Sequence, residues 1–167
     1  ADSLKLVDIP DDRKVHSGKI PRVGGIAIVI GSILPVALWV EASPVIVSYL
    51  VAVAILFVFG ILDDRGDLNY RWKFLGQFLA AGVGVIGGDC VIGVVPFFGF
   101  DPVSETISIP LTIIALVGIT NAINLADGLD GLAAGTTILS VSVIALLAYF
   151  ADGQDVVLIS VAICGSL

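Results

Sequence analysis

Apolar residues run in long blocks along this chain of 167 residues, with short polar stretches between them. The blocks are 24–40, 45–62, 74–86, 111–125, 132–150 and 156–167. The third and fourth are short, but each continues into neighbouring apolar sequence. A helix rises ~1.5 Å per residue and a bilayer core is ~30 Å thick, so blocks of this size predict membrane-spanning helices. Backbone groups in lipid must be satisfied within the segment, which favours helices over isolated strands. The pattern therefore predicts an all-α polytopic membrane protein with about six transmembrane helices. The polar stretches are 1–23, 41–44, 63–73, 87–110, 126–131 and 151–155. No internal repeat or low-complexity tract interrupts them. Within 87–110, "CVIGVVPFF" and "TISIP" are predicted to pair as a small hairpin across "GFDPVSE".

Composition agrees with a lipid solvent. Hydrophobic residues make up 57% of the chain and charged residues 14%, with a mean hydropathy of +1.09. An ordinary soluble domain lies far from these values. Net charge is −7, but the acids are scattered in short loops and no basic stripe points to nucleic acid. Cys90 and Cys164 lack metal-ligand spacing and do not suggest a disulfide framework; they read as packed apolar thiols. The chain has no Met, opens on a polar stretch rather than a signal peptide, and stops within an apolar block. It is expected to be a partial membrane domain, residues 1–167 of a longer protein.

The placement of positive charge adds a direction. All eight Lys and Arg fall in two stretches. Lys5, Arg13, Lys14, Lys19 and Arg22 are in 1–23; Arg65, Arg71 and Lys73 are in 63–73. Alternating helices put the first, third and fifth loops on one side, and the positive-inside rule makes that side cytoplasmic. The hairpin region 87–110 then lies on the opposite side. Three separate polar stretches, "RKVHSGKIPRVGG", "LDDRGD" and "NAINLADGLDG", thus share one face.

Each stretch has a structural reading and a chemical one. Asp63 and Asp64 follow "AILFVFGIL" and could simply mark the water boundary. A helix C-terminus disfavours negative charge, so compensation from Arg65 or a bound cation is expected. Asn121, Asn124 and Asp127 recur every three residues and share a helix face. The amides alone could be interhelical glue. Asp127 with Asp130 is harder to explain that way, because ionisable groups near a membrane core usually serve function. Gly128 and Gly131 read as a helix end and a close backbone approach. An EF-hand fails, because the twelfth position from Asp127 is Ile138 rather than Glu. Gly82, Gly84 and Gly87 match G-x-G-x-x-G but lack a preceding strand, so they read as small-residue helix packing. His16 gains weight from its neighbours Arg13, Lys14, Lys19, Pro21 and Arg22.

Four Asp on one face repel a phosphate, unless a hard divalent cation lies between. Mg²⁺ prefers one or two carboxylates plus phosphate oxygens and neutralises charge in phosphoryl transfer. The cluster is therefore expected to form a magnesium–diphosphate site, with Mn²⁺ as an alternative ion, and the membrane setting suggests a lipid co-substrate.

"RKVHSGKIPRVGGIAI", "GILDDRGDLNYRWK" and "NAINLADGLDGLAAG" resemble, in order and over nearly the whole chain, the polyprenyl-phosphate N-acetylhexosamine-1-phosphate transferases, of glycosyltransferase family 4 type. The resemblance implies transfer of a sugar 1-phosphate from a UDP-sugar to undecaprenyl or another polyprenyl phosphate, with release of UMP. It further implies a bacterial inner-membrane location, a cytoplasmic active face, a periplasmic hairpin at 87–110, no nucleic-acid partner, and a place at the start of cell-envelope polysaccharide synthesis such as lipopolysaccharide or teichoic acid. Homo-oligomers are compatible with it. The peptidoglycan-precursor branch usually has a Lys three residues after the second Asp of the pair, where this chain has Asp67. "DDRGD" and "PRVGG" look more like the branch that transfers N-acetylglucosamine 1-phosphate to undecaprenyl phosphate. The phospho-N-acetylmuramoyl-pentapeptide transferases are the alternative branch.

By that resemblance Asp63, Asp64, Asp127 and Asp130 are the catalytic carboxylates. Asp63 contacts the lipid phosphate, Asp64 supports Asp63 or the metal, and Asp127 and Asp130 hold Mg²⁺ and the diphosphate. Asn121 and Asn124 bind nucleotide or diphosphate oxygens, and Lys14, His16 and Arg22 lie near the anionic substrates. The family's later Asp and His motifs are not in this sequence, so an N-terminal helix and a C-terminal half are expected outside it, and the piece alone is expected to be inactive. A cation or proton transporter is the reading from a different class. Transporter sites tend to lie at the bilayer midplane on broken helices, whereas these acids fall at helix ends on one side. A noncatalytic scaffold leaves the three polar stretches unexplained.

Overall fold

The computed structural model describes residues 7–8, 20–21, 24–66, 68–95, 101–126 and 131–167. Its helices are α1 (Gly24–Trp39), α2 (Pro44–Gly66), α3 (Tyr70–Gly82), α4 (Glu105–Ala126), α5 (Leu132–Phe150) and α6 (Gln154–Ser166). A π-helical turn, Val83–Gly87, continues α3. Two short strands, β1 (Val7–Asp8) and β2 (Ile20–Pro21), pair antiparallel ahead of α1. Three helices, α2, α4 and α5, are long and apolar enough to cross a membrane. Of the other three apolar blocks, 24–40 and 156–167 form shorter helices, α1 with 16 residues and α6 with 13, and 74–86 falls in α3 and its π-helical turn.

Local chemistry sets the helix starts. Pro44 occupies the first position of α2, where a missing N–H costs nothing. Ser43 caps it, its hydroxyl accepting from the Ile46 N–H at 3.3 Å and its carbonyl from the Val47 N–H at 2.9 Å. Asn69 caps α3 by accepting from the Arg71 N–H at 3.2 Å. Gly131 opens α5 with φ of 76°, a left-handed conformation that glycine adopts without the Cβ penalty.

Side-chain contacts fix how the helices run. Asp63 of α2 meets Lys73 of α3, Phe59 meets Gly76, and Ser48 meets Gly87. As α2 is followed backward α3 is followed forward, so the two form an antiparallel hairpin. The approach is close: a Cβ at Gly76 would lie 2.5 Å from Phe59 Cγ, and one at Gly87 would lie 2.6 Å from Ser48 Oγ. Gly82 and Gly84 have open space instead, so the packing expected of the three glycines is found at Gly87 alone. Helix α4 is antiparallel to α3 in turn, with Asn121 against Gln77 and Ser108 against Ile92. At the opposite end Val36, Val40 and Ile46 form a buried cluster with Tyr49, Leu50, Ile159 and Ala162, which joins α6 to α1 and α2. Cys164 of α6 lies 3.8 Å from Ser142 Oγ of α5. Both cysteines are free, and Cys90 is exposed rather than packed.

The expected hairpin between "CVIGVVPFF" and "TISIP" is corrected. Residues 106–110 lie in α4, and the described pairing is a single antiparallel bridge, Val94 with Pro102. The reason is that α4 hydroxyls satisfy the loop backbone. Ser108 Oγ donates to the Ile92 carbonyl at 2.7 Å, and Thr112 Oγ1 accepts from the Ile92 N–H at 2.8 Å. Four residues apart, Ser108 and Thr112 share one helix face and are buried. They do for Ile92 what a partner strand would.

Most large apolar side chains point outward. Leu139, Leu147 and Phe150 of α5 are 70%, 63% and 76% exposed, and α5 buries no residue fully. Apolar surface on this scale is incompatible with a free surface in water. It suits lipid or further helices.

Candidate active site at one end of the bundle

The C-terminus of α2, the N-terminus of α3 and the C-terminus of α4 lie at one end. Asp63 is in the last turn of α2, not beyond it, since the helix continues to Gly66. Its Oδ1 accepts from Lys73 Nζ at 2.8 Å and from the Leu68 N–H at 3.0 Å. The connection between α2 and α3 thereby folds back onto the carboxylate. Sequence reasoning offered Arg65 or a bound cation as the compensating charge. The described ion pair on Asp63 is with Lys73 instead, which reaches across from α3. Asp64 is exposed beside it.

Asn121 is half-buried on α4, five residues before its end. Its Nδ2 donates to Gln77 Oε1 at 2.7 Å and to the Val117 carbonyl at 2.8 Å. Gln77 Nε2 donates back to Asn121 Oδ1 at 3.4 Å. Both Asn121 N–H groups are thus engaged within the protein, as interhelical glue would have them. Asn124, one turn further along, is exposed. Lys14, His16, Arg22, Asp127 and Asp130 lie outside the described residues.

Helix α3 links the two motifs. Lys73 and Gln77 are four residues apart and so share a face, about 6 Å apart along the axis. One holds Asp63 of "DDRGD"; the other holds Asn121 of "NAINLADGLDG". Sequence reasoning counted Lys73 only as a loop charge and missed Gln77. The signal was present: Gln77 is a lone amide in an apolar stretch, four residues after a Lys.

Among the described residues no group of three or more His, Cys, Asp or Glu is placed to hold a metal. The donors that are described there, the Asp63 and Asp64 carboxylates, are hard oxygens of the kind Mg²⁺ prefers.

The model of glycosyl transferase family 4 matches residues 46–167. The chain belongs to that family. Relatives agree over the first residues as well. The chain is 39% identical to the probable undecaprenyl-phosphate N-acetylglucosaminyl 1-phosphate transferase of Bacillus subtilis (strain 168), over 96% of this chain and 45% of that protein. It is 31% identical to the phospho-N-acetylmuramoyl-pentapeptide-transferase of Wolbachia pipientis wMel, over 95% of this chain and 53% of that protein. It is 36% identical to the decaprenyl-phosphate N-acetylglucosaminephosphotransferase of Mycobacterium leprae (strain TN), over 87% of this chain and 40% of that protein. This family 4 chain therefore spans about half the length of the curated relatives it matches. No solved structure matches it.

Proposed function

We propose that this chain forms part of an enzyme that transfers N-acetylglucosamine 1-phosphate from its UDP derivative to undecaprenyl phosphate at the cytoplasmic face of a bacterial inner membrane. The observation that carries the reading is the α3 link, which brings Asp63 and Asn121, from two separate motifs, to one end of a membrane-type bundle. That placement also argues against the transporter reading, which asks for acids near the midplane.

In the proposed reaction an oxygen of the lipid phosphate attacks the β-phosphorus of the nucleotide sugar. A phosphorus–oxygen bond to the lipid phosphate forms, the bond to UMP breaks, and UMP leaves with the electron pair. A phosphate monoester carries −1.5 to −2 charge at neutral pH, so removing its last proton is a mild demand, which Asp63 meets. Lys73 and the Leu68 amide orient the Asp63 carboxylate for that contact. Asp64 supports it, Asp127 and Asp130 would hold Mg²⁺ at the diphosphate, and Lys14, His16 and Arg22 contribute positive charge. Bound Mg²⁺ supplies charge neutralisation at the diphosphate. Asn124 contacts nucleotide or diphosphate oxygens; Asn121 acts one turn behind it.

The test is UMP release by the full-length membrane enzyme with magnesium and polyprenyl phosphate, comparing UDP-N-acetylglucosamine with UDP-N-acetylmuramoyl-pentapeptide. Turnover with the first and not the second supports the reading. The 31% identity to a pentapeptide transferase makes the second donor the relevant competitor, and a preference for it would move the chain to that branch. Turnover of neither overturns the reading.

A further inference from the structure

We infer that Gln77 is a positioning residue of the site: it sets the rotation and height of the last turns of α4 against Asp63, and with them Asn124. The inference rests on the transferase reading above.

Three features fix Gln77 itself. Gly76 beside it lies flat against Phe59, with no room for a Cβ, so α3 cannot rotate about its axis without a clash. Lys73, one turn earlier, is tied to Asp63 at 2.8 Å. Gln77 also lines an apolar cleft of about 360 Å³ with Tyr49, Leu56, Ala81, Leu116 and Thr120. An amide in such surroundings has few other partners, and a lost hydrogen bond there is costly.

Asn121 is fixed by Gln77 in turn. Its amide accepts from and donates to Gln77, and its second N–H returns to Val117 of its own helix. The pair is thus a two-point connection between helices rather than a single swivelling contact. Asn124 follows Asn121 by one helical turn, and α4 ends at Ala126. An error in rotation at residue 121 is carried directly to residue 124. Misplacement by about 1 Å, even from a site remote from the chemistry, costs up to about a hundredfold in rate.

The test uses the full-length enzyme with Gln77→Leu, Asn121→Leu, the double variant, and the exchange Gln77→Asn with Asn121→Gln, which restores an amide pair of the same total length. Gln77→Leu should lower kcat per folded molecule roughly ten- to a hundredfold with little change in donor KM. The double variant should be no worse than either single one, because coupled residues are non-additive. The exchange should recover most of the loss. If Gln77→Leu does not accumulate, Gln77→Glu, which keeps the acceptor for Asn121, supplies the comparison. A readout independent of activity comes from spin labels at positions 65 and 125, both exposed, in a background without Cys90 and Cys164. Their distance distribution should broaden in Gln77→Leu and narrow again in the exchange. Wild-type kcat in Gln77→Leu, multiplicative single losses, or an unchanged distance distribution would each overturn the inference. If the wild-type enzyme releases no UMP, the transferase reading fails, while the distance measurement still decides the role of Gln77.

Discussion

Lys73, in the first turn of α3, reaches Asp63, in the last turn of α2, at 2.8 Å. Each charge is at the helix end that disfavours it, a cation where the dipole is positive and an anion where it is negative. Those placements cost a few tenths to about 1 kcal/mol apiece. The side chains are 43% and 33% exposed, and an ion pair at that exposure contributes about 0–1 kcal/mol. The pair therefore roughly offsets its own placement and adds little to stability. What it fixes is the direction of the carboxylate.

Lys73→Met should accordingly separate activity from stability. The melting temperature of the detergent-solubilised full-length enzyme should move by no more than about 2 °C, since ~1 kcal/mol shifts a protein of about 150–250 residues by about 2–4 °C and a longer one by less. Turnover should fall at least tenfold, as for other groups that orient a reacting one. A large drop in Tm with unchanged kcat per folded molecule would make the pair structural.

Gly76 leaves no room for a Cβ where α3 meets Phe59 of α2. Gly76→Ala places a methyl group 2.5 Å from Phe59 Cγ, and the ring must move. Overpacking of this kind costs about 1–3 kcal/mol. The variant should melt several degrees lower than the parent, and Phe59→Leu in the same chain should recover part of the loss. Equal melting temperatures for Gly76→Ala and the parent would show that the helices slide apart freely.

The helices themselves were legible. The block 132–150 coincides with α5, and 24–40 misses the end of α1 by one residue. Apolar length alone specifies such elements, because lipid leaves the backbone no other solution. Two boundaries were not legible, and for different reasons. Helix α2 continues through Asp63 and Asp64 to Gly66 because Lys73 and the Leu68 amide satisfy Asp63 from outside the helix, a contact that no local pattern records. "TISIP" has the β-branched alternation of a strand, yet its Ser108 is a helix hydroxyl bonded to Ile92, sixteen residues away. In the site, charge placement put "LDDRGD" and "NAINLADGLDG" on one face, and Asp63 and Asn121 do lie at one end, whereas Gln77 gained its meaning only once α4 was seen beside it.

Asp63→Asn and Asp127→Asn each test charge against shape, since the amide is nearly isosteric with the carboxylate. In the full-length enzyme either change should lower turnover by about 10²-fold or more, in the range found for groups that act on a transition state or metal. Membrane insertion, read from the level of protein in the membrane fraction, should be unchanged. Near-normal turnover of both variants at limiting Mg²⁺ would leave these acids marking only the water boundary.

The orientation of the bundle carries the last prediction. The contacts of α2, α3 and α4 place residues 65 and 125 at one end. The α1–α2 and α5–α6 connections, with Glu41 and Asp152, belong to the other end because each follows or precedes one spanning element. All eight Lys and Arg belong to 1–23 and 63–73, and positive charge near helix ends is retained on the cytoplasmic side. In single-Cys variants lacking Cys90 and Cys164, a membrane-impermeant maleimide added to intact spheroplasts should label positions 41 and 152. Positions 65 and 125 should react only after the membrane is opened. Labelling of position 65 from outside would put the Asp63 carboxylate on the periplasmic side, away from any cytoplasmic nucleotide sugar, and the transferase reading of this end would fall with it.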